Sequence, residues 1–243
     1  MTFSNSIVRL KDVPITVGRG GGRRLLIDRF SIDLKKGERV AIAGPNGSGK
    51  STILKTILGQ LPMTKSHTTV MPKLNDLSYA PQHYRNALFP WLSVEQNVSL
   101  YRSGPTHSSG SKFRSVLSAL SIEFCPKSIV GRLSGGEQQL LLLALILAQQ
   151  RRVILLDEPF SAVDINRRPR ARAVIDETLI EIGACLVLVS HDIRDIAELT
   201  DEALILSSDD HAGAKTIRAA GRSPSDKSAY YVSLQELLDA PRI

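Results

Sequence analysis

Nine consecutive residues, Gly44-Pro45-Asn46-Gly47-Ser48-Gly49-Lys50-Ser51-Thr52, constrain this chain more than any other stretch. They follow an apolar segment, Arg39 to Ala43, and precede a helix-period pattern from Ser51 to Leu61. The pattern G-x-x-x-x-G-K-[ST] gains its meaning from this strand, loop and helix context. Glycines 44, 47 and 49 let the backbone curl so that successive N–H groups face phosphate oxygens, and the new helix adds the positive end of its dipole. In such a cradle Lys50 neutralises the β and γ phosphates. Ser51 offers a hydroxyl to Mg²⁺, a hard cation that shares its octahedron with phosphates and water.

A second acidic motif fits the same chemistry. Val153-Ile154-Leu155-Leu156-Asp157-Glu158 reads as a buried strand that ends in two adjacent acids. Neighbouring side chains on an extended backbone point in different directions, so the two can serve different tasks. Asp157 is expected to anchor the Mg²⁺ sphere, and Glu158 to orient or deprotonate an attacking water.

These segments also predict the fold class. Arg39 to Ala43, Val153 to Leu156 and Ala184 to Val189 are aliphatic runs that each end in small or polar residues, as buried parallel strands do. Ligands bind beyond the carboxyl ends of such strands, which is where the chemically able residues fall. The expectation is an α/β protein with a mostly parallel core sheet. Between about 85 and 130 the composition shifts to Ser, Gly, Pro and short helical patterns, with the loop Ser103 to Ser111 separating two amphipathic pieces. This predicts an inserted helical lobe over about 85–150 within a domain spanning 1–221, followed by a tail, 222–243, that holds one short helix-like stretch, Ser233 to Leu238.

The chain has 243 residues, 42% of them hydrophobic, which is enough for a sizeable core. Its longest apolar run, Leu140 to Ala148, is far short of the ~20 residues a membrane span needs. The opening residues lack the pattern of a secretory signal, and the two cysteines, Cys125 and Cys185, make no disulfide framework. A cytoplasmic location is expected. A net charge of +7 suits an anionic partner without naming it. The basic run Arg167, Arg168, Arg170 and Arg172 is expected to be a solvated face.

Leu133-Ser134-Gly135-Gly136-Glu137-Gln138-Gln139 resembles the signature motif of the ABC superfamily. Gln82 in Tyr-Ala-Pro-Gln is similar to its Q-loop, Ser161 to Asp164 to its D-loop, and Val189-Ser190-His191-Asp192 to its H-loop. The resemblance covers roughly Leu25 to Leu206. It implies a P-loop ABC cassette with an antiparallel β portion and a helical lobe, binding and hydrolysing ATP with Mg²⁺. Ser134, Gly135, Gly136 and Glu137 then open a second anion-binding helix. The family pairs its cassettes so that each ATP lies between the cradle of one subunit and the signature of the other. On this resemblance Gln82 contacts the metal or water, His191 donates a hydrogen bond to the γ-phosphate, and Asp164 arranges the dimer boundary.

Two departures stand out. Many family members stack an aromatic residue on adenine near the start of the domain, but Thr16 to Gly22 holds none, leaving the guanidinium of Arg19 as a candidate. A basic residue usually follows Gln139 where this chain has Leu140, which predicts a buried helix. The segment Leu88 to Val94 with Gln96-Asn97-Val98 is similar to importer ATPases of the nitrate, sulfonate and taurine group. Phe89, Trp91 and Leu92 there are either lobe core or a socket for a membrane subunit. The implied role is the ATPase of a solute importer on the inner face of the membrane. Its partners would be transmembrane permease subunits, an identical or related ATPase subunit and a solute-binding protein in the same system, with no nucleic acid. A soluble ATPase acting on nucleic acid or ribosomes is the alternative. A small-molecule kinase is a third reading, opposed by the signature and Gln82.

Overall fold

The computed structural model describes residues 6–18, 24–61, 69–101, 109–206, 215–218 and 224–238. In chain order the elements begin with strands β1 (Ser6–Val17), β2 (Arg24–Lys35) and β3 (Arg39–Ala43) and helix α1 (Lys50–Ile57). Next come β4 (Leu77–Ala80), α2 (Val94–Tyr101), α3 (Ser109–Ala119), α4 (Gly135–Ala148), β5 (Val153–Asp157) and α5 (Arg168–Ile182). The chain ends with β6 (Cys185–Val189), α6 (Ile193–Leu199), β7 (Glu202–Ile205), β8 (Lys215–Arg218) and α7 (Pro224–Leu238). It divides into two compact units, Met1–Leu74 with Cys185–Ile243, and Asn75–Ala184.

In the first unit β3 lies between β6 and β7 and runs parallel to both, and β8 closes the edge antiparallel to β7. Every residue of β3 and of β6 is buried, which explains why both read as unbroken apolar runs rather than alternating ones. The antiparallel portion is the β1–β2 ribbon. Its inward residues Val8 and Leu10 on one side of a bulge and Val13 and Ile15 on the other are offset by one position. Asp12, at φ 50, takes up that extra residue and donates its N–H to Ser31 Oγ at 2.9 Å.

Helix α1 is shorter than the Ser51 to Leu61 pattern suggests. Gly59 turns left-handed at φ 70. Its N–H reaches the carbonyl of Thr56 at 2.9 Å, and that of Gln60 reaches Lys55 at 2.9 Å, a glycine cap that stops the helix. The carboxyl-terminal helix α7 is longer than its sequence pattern. It seats Tyr230 and Leu234 in a buried cluster with Ala41, Ala43, Ile196 and Ala203. Lys227 Nζ also holds the carbonyl of Thr200 at 2.6 Å.

In the second unit β4 and β5 pair in parallel. Helix α4 is buried without interruption from Gln138 to Ala148, Leu140 included, as its apolar sequence predicts. The basic run only partly matches a solvated face. Arg167 and Arg170 are exposed, but Arg172 faces inward at 6% exposure because helical spacing sets it beside Ala171 and Ile175 on the packed side of α5. Residues 103–108 of the expected loop lie outside the described residues, and Ser109 to Ser111 belong to α3.

Candidate active site

In the first unit the phosphate loop and the His191 segment leave the carboxyl ends of neighbouring strands, since Ile42 on β3 pairs with Val189 on β6. Gly44, Gly47 and Gly49 take φ values of 142, 83 and 98. At Gly44 a Cβ would stand 2.8 Å from the carbonyl oxygen of Leu206, so only glycine fits where the loop passes β7. Gly49 starts α1 in a left-handed conformation, and Lys50 folds its ammonium back to the carbonyls of Gly44 at 2.9 Å and Pro45 at 2.8 Å. Ser51 and Thr52 lie half-buried in the first turn, and Asn46 is exposed at the loop crest. Ser48 Oγ is buried with no hydrogen-bond partner among the described residues. A curled glycine backbone, a cation at its mouth and an orphaned hydroxyl match a bound polyphosphate.

His191 is exposed on the turn after β6. Ser190 Oγ holds that turn, accepting from Asp192 N at 3.1 Å and donating to buried Asp195 at 3.2 Å. Asp192 caps α6 by accepting from Arg194 N at 2.9 Å.

The second unit places Asp157 at the carboxyl end of β5 and Gln82 and Glu158 just beyond the β4–β5 pair, where Ala80 lies opposite Leu156. Gln82 is exposed, Asp157 is 2% exposed and Glu158 is 9% exposed. Tyr79, a residue the sequence patterns do not single out, donates its phenol to Asp157. Burial pushes that phenol well above its ordinary range, and the Asp157 charge and hydrogen bond add to the effect. Glu158 sits at φ 51, a left-handed conformation uncommon for a side-chain-bearing residue.

The signature stretch opens α4 in the same unit. Ser134 Oγ accepts from Glu137 N at 3.3 Å, while Glu137 Oε2 accepts from Ser134 N at 2.8 Å and from Ser134 Oγ at 2.7 Å, a complete capping box. Those bonds to Ser134 hold the Glu137 carboxyl below its ordinary range. A Cβ on Gly135 would stand 2.7 Å from Tyr84 Oη, and one on Gly136 2.9 Å from the carbonyl oxygen of Ala162. Gly136 is therefore required by close approach to backbone within the unit itself, whereas at Gly135 the obstacle is the movable end of the Tyr84 side chain. Asp164 is exposed and accepts from Asn166 N at 2.8 Å.

A family model described as ABC transporter matches residues 27–161. The chain belongs to the ABC transporter family. This cassette is 35% identical to the thiamine import ATP-binding protein ThiQ of Photorhabdus laumondii, with 74% of this chain and 81% of that protein covered. It is 34% identical to the aliphatic sulfonates import ATP-binding protein SsuB 2 of Rhodococcus jostii, with 77% and 75% covered. Among solved structures it is similar to the ATP-binding cassette MJ0796, a dimer in a post-hydrolysis state bound to ADP and Pi. The TM-score is 0.73 at 26% identity, over 88% of this chain and 99% of that one. The cassette is thus an ATP-binding, ATP-hydrolysing subunit that uses Mg²⁺. Among the described residues no helix is long and apolar enough to cross a membrane. The adenine-stacking candidate Arg19 lies outside the described residues.

Proposed function

We propose that two cassettes close around ATP, each nucleotide gripped by the loop Gly44 to Thr52 of one subunit and by Ser134 to Glu137 of the other, and that this cycle drives solute import through separate permease subunits. The observation that carries this reading is the presence of two glycine-built helix starts in one chain, at Gly49 and at Ser134, in different units. One subunit thus offers two phosphate grips.

The residues divide the chemistry between them. Lys50 neutralises phosphate charge as the terminal bond stretches, and Ser51, Asp157 and Gln82 are the residues that would hold Mg²⁺. When bound, Mg²⁺ supplies further charge neutralisation at the phosphates. Glu158 orients the attacking water and accepts its proton. His191 donates a hydrogen bond to the terminal phosphate, and exposure leaves it able to do so.

Import is favoured by the named functions of the relatives above, one for thiamine and one for aliphatic sulfonates. It is also supported by the surface at Phe89 and Trp91. Their rings meet edge to face at 5.6 Å, and Trp91 is 70% exposed. Leu92 is half-buried, so the pair projects from the lobe rather than filling its core. An exposed aromatic pair on a fixed loop suits a permease's cytoplasmic helix, which would seat the cassette on the inner face of the membrane with a solute-binding protein in the same system.

Glu158→Gln tests the catalytic assignment. The variant should keep ATP, form a long-lived dimer and lose turnover by about 10³-fold. Hydrolysis at the wild-type rate would remove Glu158 from the mechanism. Affinity capture from detergent-solubilised native membranes tests the coupling. A multi-spanning permease should co-purify, and recovery of ribosomes or nucleic acid alone would overturn the transport reading.

A further inference from the structure

We infer that Gln139 is a positioning residue that fixes Glu158 for hydrolysis by tying the start of α4 to the turn that follows β5. Its side chain is 4% exposed and spans that turn. Nε2 donates to the carbonyl oxygen of Glu158 at 2.9 Å and to Ser161 Oγ at 3.1 Å. Oε1 accepts from Ala162 N at 2.6 Å. The amide can face only one way, because the Glu158 carbonyl only accepts and the Ala162 N–H only donates. Three bonds from one buried side chain therefore set the path of residues 158–162.

The turn needs that help. Glu158 is left-handed at φ 51, and a side-chain-bearing residue holds such a conformation only where its surroundings impose it. Local bonds supply part of the constraint: Ser161 N reaches the Glu158 carbonyl at 3.2 Å, and Phe160 and Val163 are buried. They restrain the turn from below. Gln139 restrains it from the side of α4, one turn after Gly136, whose close approach to Ala162 leaves no room for a methyl group. The backbone direction at Glu158, and with it the aim of the carboxylate, depends on where α4 stands. A small displacement of the α4 start, which grips the partner's nucleotide in the proposed dimer, is carried by this amide to the water-activating group of the chain's own site.

This inference rests on the catalytic reading of Glu158, and the test separates the two. Gln139→Met keeps the length and packing of the side chain but removes every hydrogen bond. Steady-state ATPase kinetics should show turnover lowered about tenfold with ATP affinity unchanged, since the phosphate loop lies in the other unit. In the Glu158→Gln background the same change should lower the residual rate less than about twofold, because the effect acts through the Glu158 side chain. An equal loss in both backgrounds would mean that Gln139 serves the fold alone, and unchanged turnover in Gln139→Met would also overturn the proposal. If Glu158→Gln alone hydrolyses ATP at the wild-type rate, the catalytic reading has failed rather than this coupling. Should Gln139→Met not fold, as thermal denaturation would reveal, Ser161→Ala removes one of the three bonds at an exposed position. About twofold slower turnover confined to the Glu158 background is then expected, and no change sinks the idea.

Discussion

The phosphate loop and the turn after β5 both hold backbone that ordinary residues avoid, and they do so by opposite means. In the loop, three residues with φ between 83 and 142 are all glycine, so the conformation costs little and the segment specifies itself. In the turn, the left-handed residue is Glu158, which carries the side chain the chemistry needs and cannot be glycine. Local bonds hold part of its conformation, and an amide 19 residues earlier in the chain holds the rest. A binding surface made of backbone can be built locally, whereas a catalytic carboxylate with a required direction needs support from elsewhere.

The largest stability effect should come from breaking the self-specified side. Gly44→Ala places a methyl carbon 2.8 Å from the Leu206 carbonyl at φ 142 and should cost about 3 kcal/mol or more, with ATP binding lost. At Gly47 a Cβ would meet nothing within 4 Å, so Gly47→Ala pays only for its φ of 83, about 1–2 kcal/mol. Urea denaturation of both, with calorimetric titration of ATP, checks the contrast. Equal losses would show that strain alone, without the steric contact, governs the loop.

Asn97 extends the comparison to a second turn, held by an amide from the helix that follows it. Fully buried, it accepts from Phe89 N at 2.9 Å and donates to the carbonyls of Phe89 at 3.1 Å and Ser93 at 3.0 Å. Asn97→Ala should therefore cost about 2–3 kcal/mol and loosen the Phe89–Trp91 loop. Trp91 is the only tryptophan, so its fluorescence anisotropy reports the loosening directly. Anisotropy unchanged in a folded variant would mean the loop is held without Asn97.

This contrast also explains what could be read from residues alone. The three central strands were legible because β3, β5 and β6 are buried throughout and so carry unbroken apolar runs. The phosphate loop was legible because its geometry is encoded in glycines two or three residues apart. Tyr79 was not, since its bond to Asp157 exists only once β4 lies beside β5. The bridging role of Gln139 was hidden for the same reason. The packing of α7 escaped too: Tyr230 and Leu234 stand among other apolar residues, Tyr231, Val232 and Leu238, and only the cluster around Ala41 and Ala203 singles them out.

The smallest effect concerns the α4 start, where the support is local and can be titrated. Ser134→Ala removes the acceptor for Glu137 N and one donor to its carboxylate, and should cost about 1 kcal/mol near neutral pH. Part of that support depends on charge. Bonds from Ser134 lower the Glu137 carboxyl below its ordinary value of 4.5, so their stabilisation is fully present above that pH and fades as pH falls through the lowered folded value. Glu137→Gln, which keeps an acceptor but no charge, should be less stable than wild type at pH 7 and converge on it as pH falls through the lowered folded value. The same substitution removes a negative charge from a helix start proposed to grip phosphate, so ATP-dependent dimerisation should strengthen even as the isolated subunit weakens. Sedimentation with ATP, set beside denaturation at two pH values, reads both. Weaker dimerisation would show that the carboxylate's hold on Ser134 shapes the grip more than its charge opposes phosphate.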